Sequence, residues 1–462
     1  MSTEALMVDL YQLATLFAHE HIDPARMNQR VQMSFFSRKV PTNRNYIMFV
    51  GLRSILEHMN HLDHHTISEI VWPLSQHPML GPVLSKHADI LTMLNFADFH
   101  LMSMKEGTIV FAGPGYREDG KPFEINGRHV NVYEPFMQVE TNFILSKFIE
   151  TPWLSYINYE SMVASKAARV VSAAQGKPVL EFGQRRTHPM AAIDAAYAAY
   201  IAGCSGTSNV AAFVKYGIPA IGTMDHFAVM ASEQGNKNEA ELSFFKGFAE
   251  VYPDDATLLI DTYDSEKGIL NAIHATHGKL KAIRIDSNVS VSTIILARKL
   301  LDANGCQHVK IFVSDGLNEK KVQELAKYAD GFGVGENITC SPDSSTGVGA
   351  VGKLIVNGYG RDTIKISQGS GKMTLPGPVQ VWRYKDYDLI SLLDEHYDGT
   401  PLLDFPDTLA KQLPSIEQTR AHAKSQMDAL SPEMKNVNGN SYTRKIVVSN
   451  KFAELTEKLV NA

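Results

Sequence analysis

Residues 217–226 read Gly-Ile-Pro-Ala-Ile-Gly-Thr-Met-Asp-His, and this stretch shows the pattern on which the predicted fold depends. The apolar run at 218–221 is typical of a buried strand, which Gly222 and Thr223 end. His226 follows soon after. Because the histidine side chain has a pKa near neutrality, it can transfer a proton or accept a phosphoryl group. A hydrogen-bonded loop histidine without a chemical role is the alternative interpretation.

The same alternation of an apolar run, a polar exit and a helical segment recurs along the middle of the chain. It predicts βα units that form a parallel sheet or barrel. The predicted strands lie at 178–182, 218–221, 257–260, 281–285, 309–313 and 331–334. The predicted helices lie at 189–201, 240–251, 265–275, 290–301 and 317–328.

Polar residues follow every predicted strand of this region. They are Gly-Gln-Arg-Arg at 183–186, Thr-Met-Asp-His at 223–226, Asp-Thr-Tyr-Asp at 261–264, Asp-Ser-Asn at 286–288, Ser-Asp-Gly at 314–316 and Gly-Glu-Asn at 335–337. Catalytic groups of α/β barrels gather at the carboxyl ends of the strands. Part of the pattern follows from the ordinary polarity of loops. The combination of Arg, His and Asp favours a site for an anionic ligand with a metal ion.

Two glycine-rich segments indicate where phosphate binds. Residues 203–210 precede a helix that is predicted to begin near Asn209, and backbone N–H groups at such a start can face an anion. Residues 331–335 read Gly-Phe-Gly-Val-Gly, and glycine lets a phosphate approach the backbone closely. Both segments lie at the predicted barrel mouth, where Gly316, Gly333 and Gly335 are the candidate phosphate-binding residues.

The flanking sequence predicts a mixed α+β structure. A helix is expected at 4–20, strands at 33–36, 108–112 and 129–133, further strands at 353–356, 363–367 and 380–384, and a last helix at 452–460, with a flexible connection at 347–352. We therefore expect an α+β domain over residues 1–140, a catalytic α/β barrel over 141–350, and a C-terminal segment over 351–462 that packs on both.

Composition excludes several classes of protein. A formal net charge of -6 in 462 residues argues against nucleic-acid binding. The three cysteines are far apart, which indicates neither disulfides nor a zinc site, and no apolar run is long enough to cross a membrane. A soluble, cytoplasmic protein is expected. His58, His61 and His65 can share a helical face, but they lack the further ligands of a metal site.

The chain resembles the nicotinate phosphoribosyltransferases and shares positions with the nicotinamide phosphoribosyltransferases. The resemblance covers most of the chain, from Asp-Leu-Tyr-Gln-Leu at 9–13 to the C-terminal helix. Its most specific pieces lie at 181–186, 206–210, 217–226 and 332–335. The resemblance implies the irregular α/β barrel of the type II phosphoribosyltransferases, with an α+β domain formed by the N-terminal third and the C-terminal segments.

The implied reaction transfers ribose 5-phosphate from phosphoribosyl pyrophosphate to the ring nitrogen of nicotinate. Pyrophosphate is released, and ATP hydrolysis drives the reaction through a phosphohistidine, which gives the enzyme a ligase classification although its chemistry is glycosyl transfer. On the matching positions His226 is the phosphorylated residue. Asp261 orients the imidazole or helps to hold Mg²⁺, and Asp286 serves the ribose and the metal.

The resemblance also implies how the base is held. The pyridine ring stacks on Phe182, and Tyr11 from the second subunit of a homodimer covers its other face. Arg185 and Arg284 are the candidates for pyrophosphate and for the nicotinate carboxylate. Nicotinamide enzymes tend to carry an aspartate at the position of Ser208, so its neutral hydroxyl favours nicotinate.

The chain departs from the family at 286–289, at 335–336 and in the connection at 344–349. The usual Asp-Ser-Gly-Asp is Asp-Ser-Asn-Val at 286–289, which removes a glycine and a carboxylate. Glu336 places an acidic side chain beside the presumed phosphate loop. A catalytically silent relative that binds a nucleotide or phosphoribosyl ligand, and an enzyme that uses nicotinamide or another pyridine base, therefore remain as alternatives.

Overall fold

The computed structural model describes residues 4–63, 66–344, 347–366, 372–404, 413–438 and 443–462. The chain forms two units. We call Met1–Met162 with Thr346–Ala462 the flanking unit, and Val163–Ser345 the central unit. The boundary after Met162 falls inside one long helix, Phe143–Ala173. The predicted division of the chain at residues 140 and 350 stays a prediction.

The first part of the chain contains helices and short antiparallel strands. The helices are α1 (Leu10–Ile22), α2 (Leu52–Leu62), α3 (Ile67–Ser75), α4 (Gly81–His87) and α5 (Phe143–Ala173), and 3₁₀ turns lie at Glu4–Leu6, Pro24–Asn28 and Ala88–Met93. The strands are β1 (Arg30–Ser37), β2 (Ile47–Met48), β3 (Phe99–Ser103), β4 (Ile109–Val110), β5 (Ala112–Arg117), β6 (Glu124–Ile125), β7 (Arg128–His129), β8 (Asn131–Tyr133) and β9 (Pro135–Asn142).

In the central unit strands and helices alternate. The strands are β10 (Val179–Glu181), β11 (Gly206–Thr207), β12 (Thr257–Leu259), β13 (Ala282–Ile285), β14 (Lys310–Val313) and β15 (Gly331–Val334). The helices are α6 (Pro189–Ile201), α7 (Val210–Tyr216), α8 (His226–Ala231), α9 (Lys237–Val251), α10 (Ser265–Thr276), α11 (Val291–Ala303), α12 (Glu319–Leu325) and α13 (Glu336–Thr339), and a 3₁₀ turn lies at Gln184–Arg186.

The last part of the chain completes the flanking unit. Its strands are β16 (Ala350–Val356), β17 (Val379–Arg383), β18 (Tyr387–Leu392), β19 (Thr400–Pro401) and β20 (Lys445–Val448), and its helices are α14 (Ile416–Asp428) and α15 (Asn450–Asn461). One sheet has the order β16-β1-β9-β3 and a second has the order β19-β17-β18-β20-β5-β8, so both join strands from the two ends of the chain.

The central unit is built on a curled sheet of six parallel strands in the order β11-β10-β15-β14-β13-β12. The sheet forms an open half-barrel, which agrees with the predicted α/β fold class. Side-chain caps begin the helices that follow the strands: Asp264 accepts a hydrogen bond from Lys267 N, and Ser290 accepts one from Thr293 N. Each strand is thereby followed by a short polar turn at the same edge of the sheet.

Five of the six strands predicted for this region are confirmed, but the one at 218–221 is wrong. Only Ala220 pairs there, through a single bridge to Thr207. Pro219 has no N–H to donate, and the backbone contacts are limited to Thr207 N donating to Pro219 O and Ile221 N donating to Thr207 O. The apolar run lies beside the sheet edge without becoming a strand of it.

The flanking elements deviate more from prediction. The sequence predicted a flexible connection over residues 347–352, but the strand β16 begins within it, at Ala350. No strand forms at 363–366, and residue 367 lies outside the described ranges. The first helix is confirmed but begins at Leu10, after a separate 3₁₀ turn.

A buried ionic network joins the strands of the second flanking sheet. Asp388 accepts hydrogen bonds from Arg383 and Arg444, at 3.0 and 2.8 Å, and Arg383 also donates to Glu134 at 3.3 Å. Burial alone raises the pKa of Asp388, but the facing Arg383 and its hydrogen bonds outweigh it and lower the pKa. Burial and the neighbouring Asp388 raise the pKa of Glu134. Within the described residues, no helix has the length and hydrophobicity needed to cross a membrane.

Candidate active site

A cavity of about 470 Å³ opens in the central unit where the carboxyl ends of the parallel strands meet. Ligands bind at this edge in open α/β sheets and barrels, so the cavity is the candidate active site. The described residues that line it are Phe182, Gln184, Arg185, Arg186, Ser208, Gly222, Met224, Asp225, Arg284, Asp286, Ser314, Asp315, Gly316, Leu317, Gly333, Gly335, Glu336 and Asn337.

Three arginines give the cavity positive charge. Arg185 and Arg186 lie exposed on the 3₁₀ turn that follows β10. Arg284 is on β13, and its Nη1 donates a hydrogen bond to Thr223 Oγ1 at 2.8 Å. Burial lowers the pKa of Arg284, while the nearby carboxylates Asp286, Asp261 and Asp225 act in the opposite direction. A guanidinium has so high a pKa that Arg284 remains a cation, held in place by Thr223.

His226 is the first residue of α8, and Asp225 caps that helix by accepting from Ala228 N. The imidazole Nδ1 lies 3.1 Å from Thr262 Oγ1. Its Nε2 lies 3.9 Å from Asp261 Oδ1 and 3.8 Å from Asp286 Oδ2, which is beyond hydrogen-bond distance but close enough for electrostatic interaction. The ring therefore stands between a hydroxyl and two carboxylates, with 35% of its side chain exposed.

The two carboxylates differ in their surroundings. The side chain of Asp261 is 2% exposed, and its Oδ2 accepts a hydrogen bond from Asp286 N at 2.7 Å. Its Oδ1 is buried and accepts no hydrogen bond from the residues that the structure describes. Asp286 lines the cavity and accepts from Ser314 Oγ at 2.5 Å. A buried carboxylate oxygen without a donor is a position that a cation can satisfy.

These residues fit a magnesium ion that shares its ligands with a substrate. In proteins Mg²⁺ is commonly bound by one or two carboxylates, and phosphate oxygens and water complete its coordination. Across the described ranges, no group of three or more His, Cys, Asp or Glu side chains is arranged to hold a metal by itself. Asp261 and Asp286 therefore suit a metal that arrives with a phosphorylated ligand.

The Phe182 ring forms part of the cavity wall and lies against a glycine. A Cβ built on Gly333 would come within 2.4 Å of that ring, so only glycine leaves room for it there. The backbone N of Phe182 donates to Val334 O at 2.9 Å, which fixes the turn after β10 to β15. Gly316 and Gly335 also line the cavity, and Gly316 has a left-handed φ of 55°. The candidate aromatic and phosphate-binding residues therefore share one wall.

The buried carboxylate of Glu181 lies beneath this wall, and sequence reasoning assigned it no role. It accepts hydrogen bonds from Gly183 N, from Thr207 Oγ1 at 2.6 Å and from Thr339 Oγ1 at 3.1 Å. Burial raises the pKa of Glu181, while these three hydrogen bonds act to lower it. A charged residue within an apolar strand was the available signal, because such a group must find partners when it is buried.

The structure also shows how the chain accommodates its unusual residues. Asn288 has a φ of 50°, a left-handed conformation that glycine favours and that asparagine tolerates better than most residues. Asparagine is therefore compatible with the backbone conformation at this position, and Val289 is buried. Glu336 lies 3.9 Å from Arg186 in an exposed pair. Such a pair contributes little to stability, but it leaves a carboxylate at the cavity mouth.

Most of the predicted site residues meet at this cavity. The residues that line it are Phe182, Arg185, Ser208, Arg284, Asp286, Gly316, Gly333 and Gly335, and His226 and Asp261 adjoin Asp286. Tyr11 belongs to the flanking unit, where 56% of it is exposed, and its role stays a prediction. His58 is buried and His61 pairs with Glu4, whereas residue 65 lies outside the described ranges.

Comparison with known proteins identifies close similarity to one family. The profile of the nicotinate phosphoribosyltransferase (NAPRTase) family matches residues 178–400. The nicotinate phosphoribosyltransferase pncB2 of Mycobacterium tuberculosis is 30% identical over 99% of this chain and 94% of that protein. The Bacillus subtilis nicotinate phosphoribosyltransferase is 32% identical over 85% of this chain and 76% of that protein. The crystal structure of human nicotinic acid phosphoribosyltransferase matches 98% of this chain and 99% of that chain with a TM-score of 0.76 at 21% identity, which shows the shared fold.

Replacing Gly183 tests the packing beneath the cavity. A Cβ at this position would lie 2.6 Å from Thr339 Cβ and 1.7 Å from its Oγ1, and both residues are buried. We expect Gly183→Ala to lower the free energy of unfolding by about 1–3 kcal/mol, as overpacked sites do. Gly222→Ala is the matched control, because a Cβ on Gly222 meets nothing within 4 Å. Urea unfolding measures both, and equal stability of the two variants would contradict the described packing.

Proposed function

The chain belongs to the nicotinate phosphoribosyltransferase family, and on that premise we propose that it forms nicotinate mononucleotide from nicotinate and phosphoribosyl pyrophosphate in NAD salvage. We further propose that ATP hydrolysis is coupled to this transfer through phosphorylation of His226. The observation that best supports the proposal is the meeting of Arg185, Arg284, Asp286 and Phe182 at one cavity beside His226. Cations, a carboxylate and an aromatic ring are the groups that this reaction needs.

The base is proposed to stack on Phe182, with its carboxylate beside Ser208. Stacking on an aromatic ring contributes about 0.5–1.5 kcal/mol beyond the burial of area. Ser208 presents a neutral hydroxyl to the cavity and does not repel a carboxylate. Arg185 and Arg284 supply the positive charge for the nicotinate carboxylate and for pyrophosphate. This arrangement favours nicotinate over nicotinamide, because a guanidinium binds a carboxylate more strongly than a neutral amide.

Transfer begins when the lone pair of the nicotinate nitrogen attacks the anomeric carbon of the ribose. The bond from this carbon to pyrophosphate breaks, and the bonding electrons leave with pyrophosphate. Positive charge develops on the ribose, where a carboxylate such as Asp286 stabilises it, while the arginines compensate the charge of the leaving group. No proton needs to be moved in this step, which fits a cavity with few groups suited to acid–base catalysis.

Magnesium is the proposed metal cofactor. Asp261 and Asp286 would hold it, and a bound Mg²⁺ neutralises the charge of the leaving pyrophosphate. The orphaned oxygen of Asp261 supports this assignment. Asp261 has a second part in the proposal, because its carboxylate faces the Nε2 atom of His226 and can orient the imidazole.

His226 is proposed to accept the γ-phosphoryl group of ATP. A ring nitrogen attacks the γ-phosphorus, a nitrogen–phosphorus bond forms, and ADP leaves with the electrons of the broken phosphorus–oxygen bond. Hydrolysis of the phosphohistidine then regenerates the imidazole and releases phosphate. The His226 side chain is 35% exposed, and the contact of its Nδ1 atom with Thr262 Oγ1 limits rotation of the ring.

A homodimer is the proposed assembly, with Tyr11 of one subunit covering the base bound by the other. In the flanking unit Tyr11, Leu10 and Met7 are exposed by 45% or more. In the central unit four exposed apolar residues lie on two helices. Phe213 and Val214 are on α7, which follows Ser208, and Phe227 and Met230 are on α8, which begins at His226. Exposed apolar residues beside a cavity favour a protein–protein contact. A cytoplasmic location is proposed as well, because no disulfide joins the described cysteines Cys204, Cys306 and Cys340.

Product formation tests the proposed function. Purified protein with labelled nicotinate, phosphoribosyl pyrophosphate and Mg²⁺ should form nicotinate mononucleotide, and ATP should increase the yield. His226→Ala should lose the stimulation by ATP and the acid-labile label from γ-labelled ATP. His274→Ala, at an exposed position of α10, is the matched control and should keep both. Absence of product under every condition would support the silent relative instead, and label retained in His226→Ala would place the phosphoryl group elsewhere.

Ser208→Asp tests the choice of base. A carboxylate here repels nicotinate and accepts a hydrogen bond from nicotinamide, so the ratio of kcat/KM values should move toward nicotinamide by about 10-fold or more. Ser208→Ala, which removes the hydroxyl without adding charge, should change the ratio much less. Steady-state kinetics with both bases measure it. Unchanged ratios in Ser208→Asp would remove Ser208 from the account.

Mixing two variants that each lack ATP-stimulated activity tests the shared site. Tyr11→Ala and His226→Ala each disable a different half of the proposed site, so a heterodimer regains one intact site of its two. After subunit exchange at equal concentrations, about a quarter of the wild-type ATP-stimulated activity should return. Native mass spectrometry confirms that exchange has occurred. No recovery despite exchange would show that each subunit forms its site alone.

A further inference from the structure

The Glu181 carboxylate holds together three segments that form the cavity wall. Oε1 accepts from Gly183 N in the turn after β10 and from Thr339 Oγ1 of α13, and Oε2 accepts from Thr207 Oγ1 of β11. Glu181 is 1% exposed, and in the part of the chain that the structure describes no lysine or arginine pairs with it. A buried carboxylate without a countercharge depends on such hydrogen bonds to be stable.

The hydrogen bonds continue from Glu181 to both sides of Ser208. Thr207 donates its hydroxyl proton to Glu181 and accepts from Asn209 N at 3.0 Å with the same oxygen. The backbone N of Ser208 donates to the carbonyl oxygen of Glu181 at 3.0 Å. Hydrogen bonds therefore fix Thr207, Ser208 and Asn209. Each of these contacts leads back to Glu181.

Glu181 also fixes the backbone next to Phe182. Phe182 lies between Glu181 and Gly183, and the Gly183 amide is bound by the Glu181 side chain. Gly183 packs so closely on Thr339 that a Cβ would overlap the threonine hydroxyl. The two groups proposed to bind the base, the Phe182 ring and the Ser208 hydroxyl, thus have their backbones tied to one carboxylate.

We propose that Glu181 is a positioning residue that sets the separation of the Phe182 ring from the Ser208 hydroxyl and thereby the affinity of the site for its pyridine base. The inference rests on the proposed function, since it takes the base to stack on Phe182 with its carboxylate beside Ser208. Glu181 does not line the cavity, so it acts through its neighbours. Glu181 contributes more to recognition of the base than to departure of pyrophosphate. The arginines and carboxylates proposed to act on pyrophosphate are held by other contacts.

Kinetics of three variants test this role. Glu181→Ala removes all three acceptor contacts and should raise KM for nicotinate by about 10-fold or more, while KM for phosphoribosyl pyrophosphate and kcat change by less than about 3-fold. Glu181→Gln keeps an oxygen for Gly183 and Thr339 but turns an amide toward Thr207, so it should rescue most of the loss. Thr207→Val removes only the hydroxyl that joins the Glu181 carboxylate to Asn209 N, next to Ser208. It should raise KM for nicotinate by about 3-fold or more.

The double variant Glu181→Gln with Thr207→Val separates a shared contact from two independent effects. Because both single changes affect the same link, the double variant should be no worse than Thr207→Val, rather than showing the product of the two fold-changes. Equal increases in the KM values of both substrates, or a nicotinate KM unchanged in Glu181→Ala, would overturn the positioning role.

Glu241→Gln is the matched control for neutralising a buried carboxylate in the same unit. Glu241 is 2% exposed, accepts a hydrogen bond from Asn271, and lies outside the cavity wall. Burial raises the pKa of Glu241, as it does for Glu181. Its variant should keep the wild-type KM for nicotinate even if thermal stability falls. A nicotinate KM raised equally in this variant would show that Glu181 contributes only general stability.

Hydrogen–deuterium exchange tests the same inference without enzyme activity. In Glu181→Ala the amides of residues 183 and 207–209 should exchange about 10-fold faster than in the wild type and in Glu241→Gln, because their acceptors are lost or displaced. Unchanged exchange there would overturn the inference even in an active enzyme. If the wild type forms no product, the proposed function fails, and the exchange result still decides whether Glu181 holds this wall.

Discussion

The register of the parallel strands is the constraint on which the site depends. Leu180 of β10 lies opposite Gly333 of β15, and Ile285 of β13 lies opposite Val313 of β14, so the strands end at one edge of the sheet. A shift of one residue would turn every side chain to the other face. Because this register brings Gly333 under the Phe182 ring, the aromatic wall and the glycine loop form as one surface.

The charged groups of the cavity differ in how deeply they are buried. Arg284 is partly buried and held by Thr223, and Asp261 is almost fully buried beside His226, whereas Arg186 and Glu336 meet at the exposed mouth. Buried charges interact more strongly than exposed ones, so the inner groups act most on a ligand.

Much of this arrangement could be predicted from the sequence, and the failures have physical causes. Apolar runs with polar exits located β10, β12, β13, β14 and β15 and placed Arg185 and Asp286 at one edge, because period and strand direction are local properties. Arg284 lies within a predicted strand, and the family resemblance singled it out. The run at 218–221 misled, since apolar character cannot show that Pro219 limits pairing. The missing glycine at position 288 raised the alternative of a catalytically silent relative, whereas the left-handed backbone of Asn288, with a φ of 50°, can be read only from the structure. The contacts of Glu181 with Thr207 and Thr339 join residues far apart in sequence, so only the folded chain reveals them.

Under the proposed function, the carboxyl edge of the curled sheet binds a pyridine nucleotide with its base on Phe182 and its phosphate at the loop around Gly333 and Gly335. A crystal structure of the protein with nicotinate mononucleotide is the decisive test of this binding mode. We expect a pyridine ring stacked on Phe182, with its carboxylate beside Ser208 and an arginine of the cavity. A nucleotide bound elsewhere, or bound in this cavity with its phosphate on Phe182 and its ring at the glycine loop, would show that the proposed binding mode is wrong.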